Sequence, residues 1–405
     1  MCKKKVLFVQ LRFDVIGPRN IRTSHIIPYL QDDFDIQIVS FECNRPHRQI
    51  ANVKIDRLQF GFWSYYVFNK TFSGYRPKGI LRPISRALSL IGNKIAGFPD
   101  AWRWEQKQLK SYLKEQDEKA DVIVCSMLPF YPAEVIRQLK KEGYFNHTKI
   151  VYDIGDPFAH NSTRSGATAR KIEFERSVLG YADAIILTNT ATAEHYQEQF
   201  DIPTHRITVI PQGVDIDALK INQSSEEATT IPHQHTDFIY AGTFYKDLRD
   251  PKYFLEAASS LSLKRTRFHF YSPASFFENY GSVEAIRVHD RVSHDELMRK
   301  YQSMDVLLYF DNAYGLQTSG KIYELLALKK PILFIYSTEE SAVYNMVKDY
   351  SNIMFCKNDI TAIRAVLQQL HHQGWTSTRP TYNISEFGWQ ERAEDYLTVL
   401  KSLTH

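Results

Sequence analysis

The chain has few cysteines, little net charge and no long apolar run. Its 405 residues include four cysteines, and the formal net charge at pH 7 is +4. The cysteines stand singly, without C-x-x-C spacing, so we expect reduced core thiols rather than a disulfide framework. No stretch of about 18 to 20 apolar residues occurs, which argues against a spanning helix. The small charge surplus does not by itself indicate a nucleic-acid partner.

Apolar runs of strand length alternate with helical patterns along the whole chain. The strand-like runs cover residues 5–10, 35–40, 121–126, 149–154, 184–188 and 207–210, and then 238–241, 267–271, 286–289, 305–310, 331–336 and 352–356. Parallel strands that are buried on both faces and joined by crossover helices produce this pattern. We therefore predict an α/β fold of two Rossmann-like, doubly wound domains that face a cleft, with ligands at the carboxyl ends of the strands.

A polar stretch at residues 215–236, rich in Ser, Thr, Glu and His, has the composition of a surface connection. We expect one domain over residues 1–205 and a second over residues 206–388. Residues 389–405 read as a terminal amphipathic helix that packs back on the first domain.

The most informative stretch lies late in the chain and reads as strand, polar loop, short helix and strand. A helix that begins at Thr318-Ser319-Gly320-Lys321 places Lys321 and Glu324 on one face, because residues three apart are neighbours on a helix. Thr318 or Ser319 can cap it, and Gly320 lets a ligand approach the backbone. The helix start and the ammonium form an anion site suited to a diphosphate, with the carboxylate placed for a ribose. A solvated Lys and Glu on an amphipathic helix is the alternative.

Two other ligand patterns are weaker. Gly315 to Lys321 matches G-x-x-x-x-G-K, but the next residue is Ile322, so the hydroxyl that holds Mg²⁺ in a P-loop is absent. A P-loop nucleoside triphosphatase is therefore the third hypothesis. His233 and His235 form H-x-H in the polar connection with no further ligand nearby, which does not favour a metal site. We expect no cofactor and no metal requirement.

Four segments resemble a known enzyme family when they are taken as a set. Residues 209–215 read V-I-P-Q-G-V-D, residues 240–245 read Y-A-G-T-F-Y, residues 292–297 read V-S-H-D-E-L, and residues 319–327 read S-G-K-I-Y-E-L-L-A. The set resembles the glycosyltransferases of the two-domain GT-B fold, particularly those similar to family 4, with a further likeness to the xanthan glucuronosyltransferase relatives.

The resemblance implies an enzyme that moves a sugar from a nucleotide-diphosphate sugar to a glycan or lipid-linked acceptor in cell-surface polysaccharide synthesis, with retention of configuration. Residues 1–205 would bind the acceptor and residues 206–388 the donor. The ribose-binding carboxylate of the family maps to Glu324. The basic groups that stabilise the leaving diphosphate map to Lys321 and to Lys246 or Arg249.

The rest of the implied donor site consists of residues in the same segments: Gly242, Thr243, Val292, Thr318, Ser319 and Gly320. One position departs from the family, because the first glutamate of its E-x7-E pattern falls at Leu316. That residue normally touches the donor sugar, so the sugar and the stereochemical outcome are left open. A nucleotide-binding protein without transferase activity is therefore the second hypothesis.

The first domain offers further candidates. In such enzymes the loop after the first strand brings acceptor and donor phosphates together, so Gly17 and Arg19 are candidate phosphate contacts; a plain βα loop with a surface arginine is the alternative. Asp156 ends a later strand and is the candidate carboxylate near the acceptor hydroxyl, as general base if the reaction inverts. A turn-forming Asp before Pro157 is equally compatible with the sequence.

Residues 60–98 interleave aromatic side chains with Lys and Arg and contain no acidic residue. Such a surface suits an anionic bilayer or a lipid-diphosphate acceptor. Single-stranded nucleic acid fits the composition as well, and a partly buried aromatic hairpin is the structural alternative. We favour the membrane and expect no nucleic-acid partner. Since residues 1–9 hold no secretory signal, we expect a cytoplasmic protein on the inner face of the cell membrane.

Overall fold

The computed structural model describes residues 3–15, 17–43, 46–59, 83, 98–99, 105–127, 129–161, 166–220, 236–314, 316–375, 380 and 382–404. The chain divides into two compact units, Met1–Gln212 with Trp389–His405, and Gly213–Gly388. Nearly all of the basic aromatic stretch at residues 60–98 lies outside the described residues, as do His233 and His235.

The first unit is built on a seven-stranded sheet in the order β3-β2-β1-β4-β5-β6-β7. All its strand pairs are parallel. The strands are β1 (Lys4–Val9), β2 (Phe34–Phe41), β3 (Lys54–Leu58), β4 (Val122–Ser126), β5 (Lys149–Ile154), β6 (Ala184–Leu187) and β7 (Ile207–Val209). Its helices are α1 (Pro18–Leu30), α2 (Gln106–Glu115), α3 (Tyr131–Lys141), α4 (Ala169–Leu179), α5 (Thr190–Phe200) and the terminal α12 (Trp389–Thr404).

The terminal helix α12 belongs to the first unit. Its residues Trp389 and Tyr396 share an apolar cluster with Ile26 and Ile27 of α1, and the Trp389 ring stacks on His25 at a centroid distance of 5.0 Å. The first unit also includes β7, which pairs with β6. The expected boundary after residue 205 therefore falls before β7, whereas the unit continues through that strand to Gln212.

The second unit holds a six-stranded sheet in the order β10-β9-β8-β11-β12-β13, again with parallel pairs. The strands are β8 (Thr236–Ala241), β9 (Thr266–Tyr271), β10 (Ile286–His289), β11 (Val306–Phe310), β12 (Ile332–Tyr336) and β13 (Ile353–Lys357). The helices are α6 (Ile216–Lys220), α7 (Lys252–Ser259), α8 (His294–Ser303), α9 (Lys321–Ala327), α10 (Ala342–Val347) and α11 (Ile360–Gln373). Two parallel sheets with alternating helices confirm the predicted α/β class and its two Rossmann-like units.

One strand was not predicted. The edge strand β3 reads K-I-D-R-L, and none of its residues is fully buried. It lacks a continuous apolar run because only strands covered on both faces need one. Among the described residues, no helix is long and apolar enough to cross a membrane.

A buried ion network ties the first unit together at the end of β5. Asp153 accepts hydrogen bonds from Arg19 Nη1 at 2.6 Å, Arg22 Nε at 3.2 Å and Tyr396 Oη at 3.1 Å. The Arg22 side chain is fully buried and also donates to the Pro211 carbonyl at 2.7 Å. One carboxylate thus joins α1, β5 and α12.

This network predicts a strong dependence of stability on the Asp153 charge. Asp153→Asn leaves two largely buried guanidinium groups without their counter-charge, so the free energy of unfolding should fall by about 3–5 kcal/mol. Asp395→Asn is the matched control, because Asp395 is 47% exposed where it pairs with Arg392. The control should lose less than about 1 kcal/mol. Chemical denaturation measures both values, and equal losses would contradict the network's role.

Candidate functional site

The helix predicted near Thr318 starts later than expected. In the structure α9 is a seven-residue helix that begins at Lys321, with Gly320 at the N-cap and no side-chain cap hydrogen bond. The expectation that Thr318 or Ser319 caps the helix was wrong, and both are half-buried loop residues. The rest of α9 is mostly buried, while Lys321 and Glu324 are half-buried. Charge at this site therefore comes mainly from side chains rather than from a long helix dipole.

The Lys321 ammonium lies against the backbone of Gly242, directly after β8. A Cβ placed on Gly242 would lie 2.9 Å from Lys321 Nζ and 2.8 Å from Tyr240 Oη. Any larger residue at this position would displace one of these groups. The strands that precede the two loops, β8 and β11, are neighbours in the sheet, so their carboxyl ends bring Gly242 and α9 together.

Arg249 reaches the same region from a tight turn after β8. Tyr245 N donates to Arg249 O at 3.0 Å and Arg249 N donates to Tyr245 O at 2.8 Å, with Asp247 at a φ of 63° between them. The guanidinium donates to Asn312 Oδ1 through Nη2 at 2.8 Å. Asn312 Nδ2 in turn donates to the Gln317 carbonyl at 2.9 Å. Asn312 thus fixes the arginine to the loop that leads into α9.

A third cation, Arg291, comes from the loop between β10 and α8. Its Nη2 donates to Thr243 Oγ1 at 2.9 Å, and Thr243 directly follows Gly242. Sequence reasoning missed this residue, although it immediately precedes the V-S-H-D-E-L segment. It also missed Asn312, which lies two residues beyond the end of β11, where the strand-end rule for parallel sheets places ligands.

The three cations Lys321, Arg249 and Arg291 form a cation cluster, and Glu324 lies beside it. Burial lowers the pKa of Lys321, the nearby Arg249 and Arg291 lower it further, and Glu324 opposes them. Burial raises the pKa of Glu324, against the attraction of His294 and Lys321. An anion would relieve the repulsion among the three cations and favour the ammonium form of the lysine.

The remaining second-unit candidates lie around this cluster. Val292 is partly buried against the apolar core. Lys246 is exposed on the turn that carries Arg249, and within the described part of the chain it makes no hydrogen bond or ion pair. The structure therefore brings Lys321, Arg249 and Gly242 together, with Thr243 and Glu324 alongside, but it leaves Lys246 outside the cluster.

The first-unit candidates are arranged differently. Arg19 is committed to Asp153, and its pKa is lowered by burial and partly restored by that carboxylate. Gly17 is the N-cap residue of α1 with an extended backbone, and an added Cβ would meet only Asn20 Nδ2 at 3.8 Å. Glycine is therefore not required there. The phosphate roles of Arg19 and Gly17 stay predictions.

Asp156 lies half-buried in the loop after β5, within electrostatic range of Arg19 and Tyr196. The loop is held by the buried Glu175, which sequence reasoning missed. The Glu175 carboxylate accepts the backbone N–H groups of Phe158 and Ala159 at 2.9 Å each. The role of Asp156 near an acceptor hydroxyl stays a prediction. Among the described residues, no group of three or more His, Cys, Asp or Glu side chains is arranged to hold a metal ion.

Comparison with known proteins agrees with the fold. Residues 67–218 match the family model Glycosyltransferase Family 4. Sucrose-phosphate synthase from Thermosynechococcus elongatus resembles the chain with a TM-score of 0.68 at 12% identity, covering 99% of both chains. HepE from Anabaena, in complex with UDP and glucose, gives a TM-score of 0.63 at 11% identity, covering 98% of this chain and 100% of HepE.

The chain therefore has the GT-B fold of these glycosyltransferases, and part of it matches a glycosyltransferase family. A UDP-GlcNAc 2-epimerase from Methanocaldococcus jannaschii shares the fold more distantly, with a TM-score of 0.52 at 13% identity over 99% of this chain and 100% of the epimerase. No curated protein sequence matches. The likeness to xanthan glucuronosyltransferase relatives stays a prediction.

The contact between Lys321 and Gly242 predicts a binding defect for Gly242→Ala. The added methyl group must push away the ammonium or the Tyr240 hydroxyl, and loss of a charge-assisted hydrogen bond weakens binding by about 10- to 100-fold. We expect that loss of affinity for nucleoside diphosphates, measured by calorimetry at a temperature at which the variant is folded. Gly281→Ala is the control, since a Cβ there meets no atom within 4 Å. An unchanged affinity for Gly242→Ala would contradict the assignment of the anion site.

Proposed function

We propose that this protein is a glycosyltransferase, which takes a sugar from a nucleoside-diphosphate sugar and transfers it to a glycan or lipid-linked acceptor in cell-surface polysaccharide synthesis. The reaction retains the anomeric configuration and needs no metal. The observation that carries the proposal is the packing of the Lys321 ammonium against Gly242, beside the Arg249 guanidinium. The donor-binding site of the proposal lies in the second unit.

The charge balance of the cluster supports a diphosphate ligand. Glu324 acts on Lys321 and Asp311 acts on Arg249. The three cations Lys321, Arg249 and Arg291 therefore still outnumber these two carboxylates. Partial burial strengthens the attraction of such a cluster for an anion, because water screens it less. The same cations, fixed before the reaction, would stabilise the negative charge that develops on the departing diphosphate.

The position of Glu324 supports a nucleoside rather than a simple polyphosphate. It lies one turn along α9 from the ammonium, and its carboxylate can accept hydrogen bonds from two ribose hydroxyl groups. The backbone next to Val292 is the proposed contact of the base. HepE is described in complexes with UDP, with UDP and glucose, and with UDP-glucose, so UDP-sugars are the first donors to test.

The acceptor side of the proposal rests on composition. Residues 60–98 are basic and aromatic, which suits a lipid-linked acceptor and peripheral attachment to the anionic inner face of the cell membrane. In this proposal Asp156 faces the acceptor hydroxyl, and nucleic acid is not a partner.

A second candidate function is nucleotide or nucleotide-sugar binding without sugar transfer. Leu316 favours it, because an apolar side chain stands where the family has the glutamate that touches the donor sugar. The likeness to UDP-GlcNAc 2-epimerases shows that the fold is not restricted to transferases. Transfer to an acceptor, followed as release of the nucleoside diphosphate with a glycosylated product, separates the two functions.

Replacing Lys321 tests the proposed site. Lys321→Ala removes a fixed cation at the leaving group, and removal of one such donor typically lowers kcat by about 100- to 1,000-fold. Release of nucleoside diphosphate from UDP-, GDP-, ADP- and dTDP-sugars should fall accordingly, with EDTA present throughout. Lys348→Ala, at an exposed lysine after α10, is the control and should keep full turnover. Unaltered turnover of the Lys321 variant would exclude this role.

The two shifted pKa values predict how nucleotide affinity depends on pH. Affinity should fall on the acid side as Glu324, whose pKa is raised by burial, becomes protonated, because the neutral carboxyl group accepts fewer and weaker hydrogen bonds from the ribose. Affinity should also fall on the alkaline side, as Lys321 loses its proton. This loss should begin at a lower pH than an exposed lysine would give, because burial lowers the pKa of Lys321.

Calorimetry of UDP across the pH range, with wild type compared to Glu324→Gln, measures this effect. The comparison is needed because the terminal phosphate of the nucleotide also titrates, at about pH 6. The variant should lose the part of the acid-side change that belongs to the carboxylate. Identical profiles for the two proteins would show that Glu324 does not contact the nucleotide.

A further inference from the structure

Arg291 is a cation with a neutral partner. It is an exposed residue of the loop between β10 and α8, and its Nη2 donates to the hydroxyl of Thr243 at 2.9 Å. Within the described residues it forms no ion pair. A guanidinium carries five N–H donors in a planar fork, so most of its donors are not used by Thr243.

The contact with Thr243 brings this guanidinium to the anion site. Thr243 is the next residue after Gly242, against which the Lys321 ammonium packs. Arg291 is also close enough to Lys321 for its charge to act on the lysine. Three cations from three separate segments therefore converge, namely the turn after β8, the loop before α8 and the start of α9.

We propose that Arg291 is a third cationic ligand of the donor diphosphate, positioned by Thr243, and that it makes the site select diphosphates over monophosphates. This inference rests on the proposed function, because it assumes that a nucleoside diphosphate occupies the second unit. A planar guanidinium binds two phosphate oxygens at once, which a lysine ammonium does not do. A single phosphate group offers three terminal oxygens at one position, whereas two phosphate groups place oxygens at two positions and can reach cations that come from three separate segments.

Titration of UDP, GDP and ADP identifies the nucleotide that wild type binds, and its monophosphate is then measured beside it. Arg291→Gln should weaken binding of the diphosphate by about 10- to 100-fold and leave binding of the monophosphate nearly unchanged. Arg291→Lys keeps the charge without the planar fork, so its affinity for the diphosphate should lie between those of wild type and Arg291→Gln. Thr243→Val, which removes the hydroxyl and keeps the cation, should cause a smaller loss for the diphosphate.

Arg299→Gln is the matched control, since Arg299 is an exposed arginine of the adjacent helix α8 and the charge change is the same. It should bind both nucleotides like wild type. Equal binding of the diphosphate by wild type and Arg291→Gln overturns the role of Arg291 while the proposed function stands. Equal losses for diphosphate and monophosphate overturn the selectivity. Failure of wild type to bind any nucleoside diphosphate overturns the proposed function and this inference with it.

Discussion

The Lys321 ammonium packs against Gly242 at the carboxyl ends of two adjacent parallel strands, and the function proposed for the second unit depends on this contact. Burial there disfavours the charged lysine, and the two nearby arginines add to the cost. Glu324 offsets only part of it. A partly desolvated cluster with excess positive charge binds anions strongly, and a diphosphate leaving group is an anion that gains charge during the reaction. The same electrostatic imbalance therefore explains both binding and catalysis in the proposed function.

Hydrogen bonds hold one arginine of this cluster, Arg249, in position. The turn that carries Arg249 is closed by backbone hydrogen bonds to Tyr245, and Asn312 holds the guanidinium from the end of the neighbouring strand. Arg249 therefore needs little rearrangement when it binds a phosphate. In the first unit the buried charges stabilise the fold instead, because Asp153 forms ion pairs with Arg19 and Arg22. Gly155 belongs to that arrangement, since an added Cβ would lie 2.1 Å from Arg19 Nη2.

The sequence alone predicted the α/β architecture, because strands of a parallel sheet are buried on both faces and β11 and β12, for example, are apolar along their whole length. It also named Lys321, Glu324 and Gly242 from two local motifs, and the structure brings these three residues close together. It placed the start of α9 too early, because the hydroxyl groups of Thr318 and Ser319 only suggest a cap and the adjoining loop is tied to Asn312 instead. Arg291 and the burial of Arg19 were not predictable from local patterns, because both depend on contacts between distant segments. The partner of Arg19 is 134 residues away along the chain.

The central claim is that the second unit binds a diphosphate on its cation cluster. A crystal structure of the protein with UDP, or with whichever nucleoside diphosphate binds most tightly, tests it most directly. The account predicts diphosphate oxygens within about 3 Å of Lys321 Nζ and of the Arg249 guanidinium, beside Gly242, with the ribose hydroxyl groups on Glu324. A nucleotide bound elsewhere, with Lys321 still packed on Gly242 and no phosphate contact, would contradict it.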